Sequence, residues 1–275
     1  MNTTLQRAPV FFISHGAPTF ALEPGQLGAH LRALGQQLTG IKAVLVVSPH
    51  WQTRELQVMS TLRPETIHDF GGFPPALYQL QYPAPGQPAL AQQALDLLIQ
   101  AGWPATLEVN RGLDHGAWVP LWHLLPQATV PVFQVSMPHQ LDTAGALALG
   151  RALAPLRDQG VLIIGSGSLT HNLYDIQPPA SAAVAYAVEF AHWMRQAVTR
   201  ADEAALLDYR RLAPHAERAH PTDEHLLPLL VALGASAAAE EAQVIAGDIT
   251  YGVLSMESYV WGMNSTTAPV PEVAA

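Results

Sequence analysis

Residues 43–51 read AVLVVSPHW, an apolar and β-branched run too short for a helix, broken at Ser48-Pro49 and followed at once by His50 and Trp51. Two other stretches are built the same way. Residues 10–18, VFFISHGAP, carry His15 into a tight Gly16-Ala17-Pro18 loop, and residues 161–171, VLIIGSGSLTH, end on His171 just before Asn172. Runs this apolar on both faces suit strands buried in the middle of a sheet. Each would deliver an imidazole where its strand ends.

Working outward, further strands are expected at 56–60, 106–109 and 130–135, and helices at 24–38, 88–101, 141–156 and 181–201. The alternation predicts an α/β fold, a single-domain sandwich whose central mixed, largely parallel sheet is flanked by helices. Such sheets place ligands beyond the carboxyl ends of their strands. All 275 residues are read as one domain, with 264–275, NSTTAPVPEVAA, as a flexible tail that lacks any periodicity. The apolar stretch 226–239 reads as a buried helix, because Pro228 interrupts it and it is too short to span a bilayer.

Composition narrows the chemistry. Hydrophobic residues make up 49% of the chain and charged ones 13%, which favours a large core over disorder. The net charge of -9 comes without a basic cluster, so neither nucleic acid nor an anionic membrane is an expected partner. A small molecule is. The absence of cysteine removes thiolate metal sites, iron–sulfur clusters and cysteine nucleophiles, leaving His, Asp and Glu as possible ligands. The opening MNTTLQR lacks the pattern of a signal peptide, and a cytoplasmic location is expected.

Of twelve histidines, those at strand ends stand out. Neutral imidazole is the commonest metal ligand, and a site needs several converging from separate elements. His225 lies in PTDEHLLPLLVALG, where Thr222 suits a helix cap and the Leu226, Leu229, Leu230 and Leu233 stripe is buried. On that wheel His225 borders the stripe, and Glu224 faces water. His115 follows Asp114, which either orients its imidazole or caps the helix that begins there. His68 is equally open to a structural or a functional reading. It lies in the Pro-, Gly- and aromatic-rich loop 61–86, whose Phe70, Phe73 and Tyr78 suit a pocket wall.

Seven segments in this order resemble the class III extradiol ring-cleavage dioxygenase family, in its 4,5-DOPA dioxygenase-like branch. They are SHGAPT at 14–19, VVSPHW at 46–51, TIHDFGGFPPALY at 66–78, YPAPG at 82–86, LDHGAWVPL at 113–121, GSGSLTHNL at 165–173 and HPTDEHLLPLL at 220–230. The resemblance implies a non-haem Fe(II) enzyme that inserts O₂ into a catechol beside its two hydroxyls, and a protein that often carries Zn(II) when isolated. It further implies His15, His50 and His225 as metal ligands, His171 as acid/base residue and possible fourth ligand, and His115 as a second imidazole touching substrate or oxygen. Protocatechuate-cleaving relatives have a glutamate where this chain has His225, so the site would carry one negative charge less.

A multi-histidine site with an open position also suits a zinc-dependent hydrolase, which would activate water instead. A metal- or catechol-binding protein of the same fold without catalysis is a third reading. Metal identity and oxygen uptake separate them.

Overall fold

The apolar runs become strands β1 (Val10–Ser14), β2 (Ala43–Thr53), β3 (Leu56–Met59), β4 (Ala105–Glu108), β5 (Val132–Pro138) and β6 (Val161–Gly167) in the computed structural model, which describes residues 7–263. The tail expected at 264–275 lies outside the described residues. Four short strands follow near the C-terminal end: β7 (Gln243–Ile245), β8 (Ile249–Thr250), β9 (Leu254–Ser255) and β10 (Ser258–Trp261).

An eight-stranded sheet forms in the order β4-β3-β5-β2-β6-β1-β10-β7, while β8 and β9 make a separate hairpin. Its centre, β5-β2-β6-β1, is parallel throughout. The β3–β4 pair is also parallel, whereas β3 on β5, β10 on β1 and β7 on β10 are antiparallel. The sheet is therefore mixed and largely parallel, as expected. Register between β2 and β5 breaks between Val47 and Gln52. His50 thus lies inside β2 and not past its end, but in an irregular stretch where the regular ladder has been lost.

Helices α1 (Gly25–Gly35), α2 (Pro88–Gln100), α3 (His115–Leu124), α4 (Thr143–Leu153) and α5 (Ala185–Thr199) are followed by short turns α6 (Glu203–Leu207), α7 (Tyr209–Leu212) and α8 (Ala216–Ala219), then by α9 (Leu227–Ala235). Among the described residues no helix is long and apolar enough to cross a membrane. β6 shows how the layers are arranged. A Cβ added to Gly165 would lie 2.0 Å from the Pro228 carbonyl oxygen, and one added to Gly167 would lie 2.3 Å from that of His225. Ser166, between them, instead hydrogen-bonds to Gly116 of α3. Successive strand residues point to opposite faces, so α9 and α3 cover opposite sides of the sheet. Their N-terminal ends both reach the carboxyl edge of β6.

The start of α9 differs from expectation. Thr222 caps nothing; the helix opens at Leu227 with Pro228 in its first turn, where a missing N–H is tolerated. Residues 221–226 form a turn, closed by Leu226 N–H donating to Asp223 O at 2.9 Å. His225 and Glu224 therefore sit on a turn, and the helical wheel used to face them apart does not apply.

Close approach of α9 to β6 depends on glycine. Gly165→Ala is expected to lower unfolding free energy by about 1–3 kcal/mol in denaturant titration. Gly71→Ala, whose added Cβ meets nothing within 4 Å, should stay within about 0.5 kcal/mol.

Candidate metal centre and catalytic cavity

Five imidazoles meet at the carboxyl edge of the sheet. His15, directly after β1, is 2% exposed, His115 at the first turn of α3 is 6% exposed, and His225 before α9 is 7% exposed. His50 from β2 and His171 from the loop after β6 are half-buried. The ring centroids of His15 and His50 are 5.0 Å apart, and those of His50 and His225 are 5.1 Å apart. His15, His50 and His115 bring ligating atoms within 4.8 Å of one another; His171, Glu224 and His225 form a second such group.

Hydrogen bonds fix which nitrogen faces inward. The Nδ1–H of His225 donates to Glu224 Oε1 at 3.0 Å, and that of His115 donates to Asp69 Oδ1 at 3.0 Å. Carboxylates only accept, so both protons are placed on Nδ1 and both Nε2 atoms present lone pairs. His15 Nδ1 lies 3.0 Å from Ser166 Oγ. The Ser166 hydroxyl proton is given to Gly116 O, so Ser166 must accept from His15 and the His15 Nε2 is bare. Gly116 O is free to accept because Pro120, four residues on within α3, has no N–H to bond it.

The inward nitrogens converge. The bare His15 Nε2 lies 3.1 Å from His50 Nε2, whose N–H donates to it in the metal-free protein. With that proton moved to His50 Nδ1, both nitrogens are close enough to reach one ion at a metal–imidazole distance of about 2.0–2.1 Å. His225 Nε2 is fully buried with no hydrogen-bond partner among the described residues. A buried unpartnered acceptor costs free energy unless something fills its lone pair. The donor set is all nitrogen, with no thiolate, and it fits Fe(II) or Zn(II).

Burial, reinforced by neighbouring imidazoles, pushes His15 and His225 well below the ordinary histidine range. Burial and then the His115 charge bring His50 down to about 4, against the opposing pull of Asp114 and Asp69. Burial lowers His171 as well, with Glu224 pulling the other way. Burial alone would raise the Asp69 carboxyl, but its hydrogen bonds and charge interaction with His115 hold it at about 2.

Several of these partners escape sequence reading. Asp114 is the helix cap, accepting from Ala117 N–H at 3.2 Å, and not the orienter of His115. That task belongs to Asp69, whose Oδ1 also accepts the His115 backbone N–H at 2.9 Å. Asp69 was visible only as the neighbour of His68. Glu224 does not simply face water, since it turns back onto His225. Ser166 was hidden among the small residues of GSGS. Asp114 itself is fully buried and also accepts from Ser48 Oγ and Gln134 Nε2, both at 2.8 Å, joining β2, β5 and α3 behind the imidazoles.

An open cavity of about 440 Å³ lies against the five imidazoles, with Phe70 and Phe73 on its wall. His68 and Tyr78 form a layer behind them. His68 Nε2 bonds to Leu80 O at 3.0 Å, and the Tyr78 ring stands 5.2 Å from Phe70, its hydroxyl accepting from Phe73 N–H at 3.4 Å. His171 stacks on His225 at 3.5 Å between centroids with planes 7° apart. Its loop is anchored by its own N–H on Ala219 O and by His220 Nε2 on Leu169 O, at 2.8 and 2.9 Å.

The buried imidazoles make the metal-free protein acid-sensitive. An unfolded chain takes up protons below about pH 6.5, but the folded His50 resists until about 4. Between these values the unfolded state binds more protons. Stability of the metal-free protein should therefore be flat above about pH 7.5, begin to fall as the pH drops through about 7, and fall most steeply between about 6 and 4. Denaturation midpoints at pH 7.5, 6.5, 5.5 and 4.5 check this.

Residues 10–260 match the family model described as the catalytic LigB subunit of aromatic ring-opening dioxygenase. The chain is 41% identical over 253 residues to a 4,5-DOPA dioxygenase extradiol of Beta vulgaris, an alignment covering 90% of this chain and 94% of that protein. It is 38% identical over 259 residues to the 4,5-DOPA dioxygenase extradiol of Escherichia coli K12, covering 92% and 94%. The crystal structure of an uncharacterized protein from Escherichia coli K12 superposes with a TM-score of 0.75 at 31% identity, covering 92% of this chain and 99% of that one. With its parallel sheet edge, converging imidazoles and this likeness over nearly its whole length, the chain belongs to the LigB family of aromatic ring-opening dioxygenases.

Proposed function

We propose that the chain cleaves a catechol ring, such as that of DOPA, in the extradiol manner, with O₂ and non-haem Fe(II) held by His15, His50 and His225. The observation that carries the ligand set is the bare, fully buried Nε2 of His225, beside the 3.1 Å approach of His15 Nε2 and His50 Nε2. His115 is given a substrate-facing role instead, because its Nε2 is not sealed off in the same way. Bound Fe(II) would supply open positions where catecholate and O₂ meet and through which electrons pass between them.

The protein's own groups do the rest. Among the described residues no hydrogen bond holds the His171 ring, in contrast to His15, His115 and His225. That freedom, with a pKa lowered by burial, suits it to take a proton from a catechol hydroxyl and to return one to the departing oxygen. It is assigned the acid/base role, with metal ligation secondary. His115, oriented by Asp69, directs Nε2 at the substrate. Phe70 and Phe73 cover the ring and keep bulk water away, while His68 and Tyr78 support them from behind. Glu224 and Asp69 raise the basicity of the imidazoles they bond. The same donors accept Zn(II), which we propose the isolated protein often carries. Cytoplasmic residence remains part of this proposal. A hydrolase would have less use for aromatic walls around a flat ring.

Anaerobic Fe(II) loading, followed by air and a panel of catechols, should give O₂ uptake and a yellow ring-opened product. His171→Ala should retain iron and lose about 10²–10⁴-fold in kcat. His225→Ala should lose the metal. If the loaded protein consumes no oxygen with any catechol, the reading fails. Glu224→Gln should weaken metal affinity about 10–100-fold, measured by competition with a chelator.

A further inference from the structure

Beyond the imidazoles the cavity wall is apolar. Leu173 and Ile176 approach it from the loop after His171, and Leu254 and Tyr251 from the β8–β9 hairpin. Among the described residues no Lys, Arg, Asp or Glu lines it. The sequence outside them, 1–6 and 264–275, contains no Lys or Arg. Arg218, which reaches the same loop through Asp175, is held by that carboxylate at 2.8 Å and lies 4.2 Å over the Tyr186 ring. Arg111 is likewise committed to Asp114 and to the His50 carbonyl.

This wall is built and held. Tyr251 has φ 52°, a left-handed conformation that costs a bulky residue free energy and persists only where its surroundings impose it. Its hydroxyl is 3.0 Å from Thr19 Oγ1, and its carbonyl accepts the Gln177 N–H at 3.0 Å. Val184 N–H donates to Gly252 O at 2.9 Å. The hairpin and the 173–184 segment are thus stitched together as one surface. Leu173 is nonetheless 59% exposed and Ile176 41% exposed, so apolar area stands ready to be covered.

Resting on the catechol-cleaving reading above, we infer that the Leu173–Ile176–Leu254 wall is a subsite for an uncharged, apolar substituent on the catechol ring, and that neutral alkyl- or alkenyl-catechols are preferred over amino-acid catechols such as DOPA. A substituent carboxylate laid on this wall would lose water and find no cation. Left in water at the mouth, it would avoid that cost but gain nothing from the wall. A methylene laid on the wall gains up to about fourfold in affinity.

Anaerobic displacement of 4-nitrocatechol from the Fe(II)-loaded protein reads binding without turnover. Affinity should rise about two- to fourfold per methylene from 4-methyl- to 4-propylcatechol, and L-DOPA and 3,4-dihydroxyphenylpropionate should bind at least tenfold more weakly than 4-propylcatechol. Leu173→Arg, at an exposed position, should shift the ratio of propylcatechol to dihydroxyphenylpropionate affinity at least tenfold towards the acid. L-DOPA binding as tightly as 4-propylcatechol, or an unchanged ratio in L173R, overturns the subsite. Failure of 4-nitrocatechol and every other catechol to bind overturns both the subsite and the catechol reading. Binding in the expected order with no O₂ uptake in air supports the subsite and sinks the dioxygenase reading alone.

Discussion

A neutral imidazole offers a lone pair on one nitrogen only while its proton is held on the other, and the site depends on three such commitments. Glu224 holds the proton of His225, Asp69 that of His115, and Ser166 that of His15. The third is conditional on a chain of causes that begins with a proline. Pro120 leaves Gly116 O unbonded within α3, Gly116 O takes the Ser166 hydroxyl, and Ser166 is left able only to accept from His15. A single missing N–H in a buried helix thereby sets the tautomer of an imidazole on a different strand.

The same arrangement costs stability. Packing five imidazoles together, three of them nearly inaccessible, goes with lowered pKa values at His15, His50, His171 and His225 and leaves a buried acceptor bare on His225. A cation at the convergence point would satisfy that acceptor, and binding that favours only the folded state stabilises it by mass action. Three irregular or closely packed parts of the framework adjoin the site: the broken register around His50, the close approach of β6 to the His225 turn, and the left-handed Tyr251. Glu224 also offsets what the histidine ligand set lacks, since it places a negative charge one bond network away from the bare nitrogen.

The central fold was legible because its signal is long and uniform. β1, β2 and β6 are apolar on both faces, so their buried, parallel placement follows from composition; His15 and His171 follow their strands as expected, whereas His50 lies within β2 where its register breaks. The four C-terminal strands, two to four residues each, carry too little periodicity to be read. The turn before α9 was misread because Thr222 resembles a cap, while Pro228 sets where the helix opens. Asp69 and Ser166 were invisible for another reason. Their roles come from contacts with residues 46 and 151 positions away, which no local pattern records.

The central proposal is that His225 joins His15 and His50 in holding the metal, while His115, whose ligating atom lies within 4.8 Å of theirs, faces the substrate. A crystal structure of the Zn(II)-loaded protein decides it most directly. The account predicts one ion about 2.0–2.1 Å from the Nε2 atoms of His15, His50 and His225, with Glu224 still bonded to His225 Nδ1. An ion held by His115 in place of His225, or by the Glu224 carboxylate directly, would contradict it.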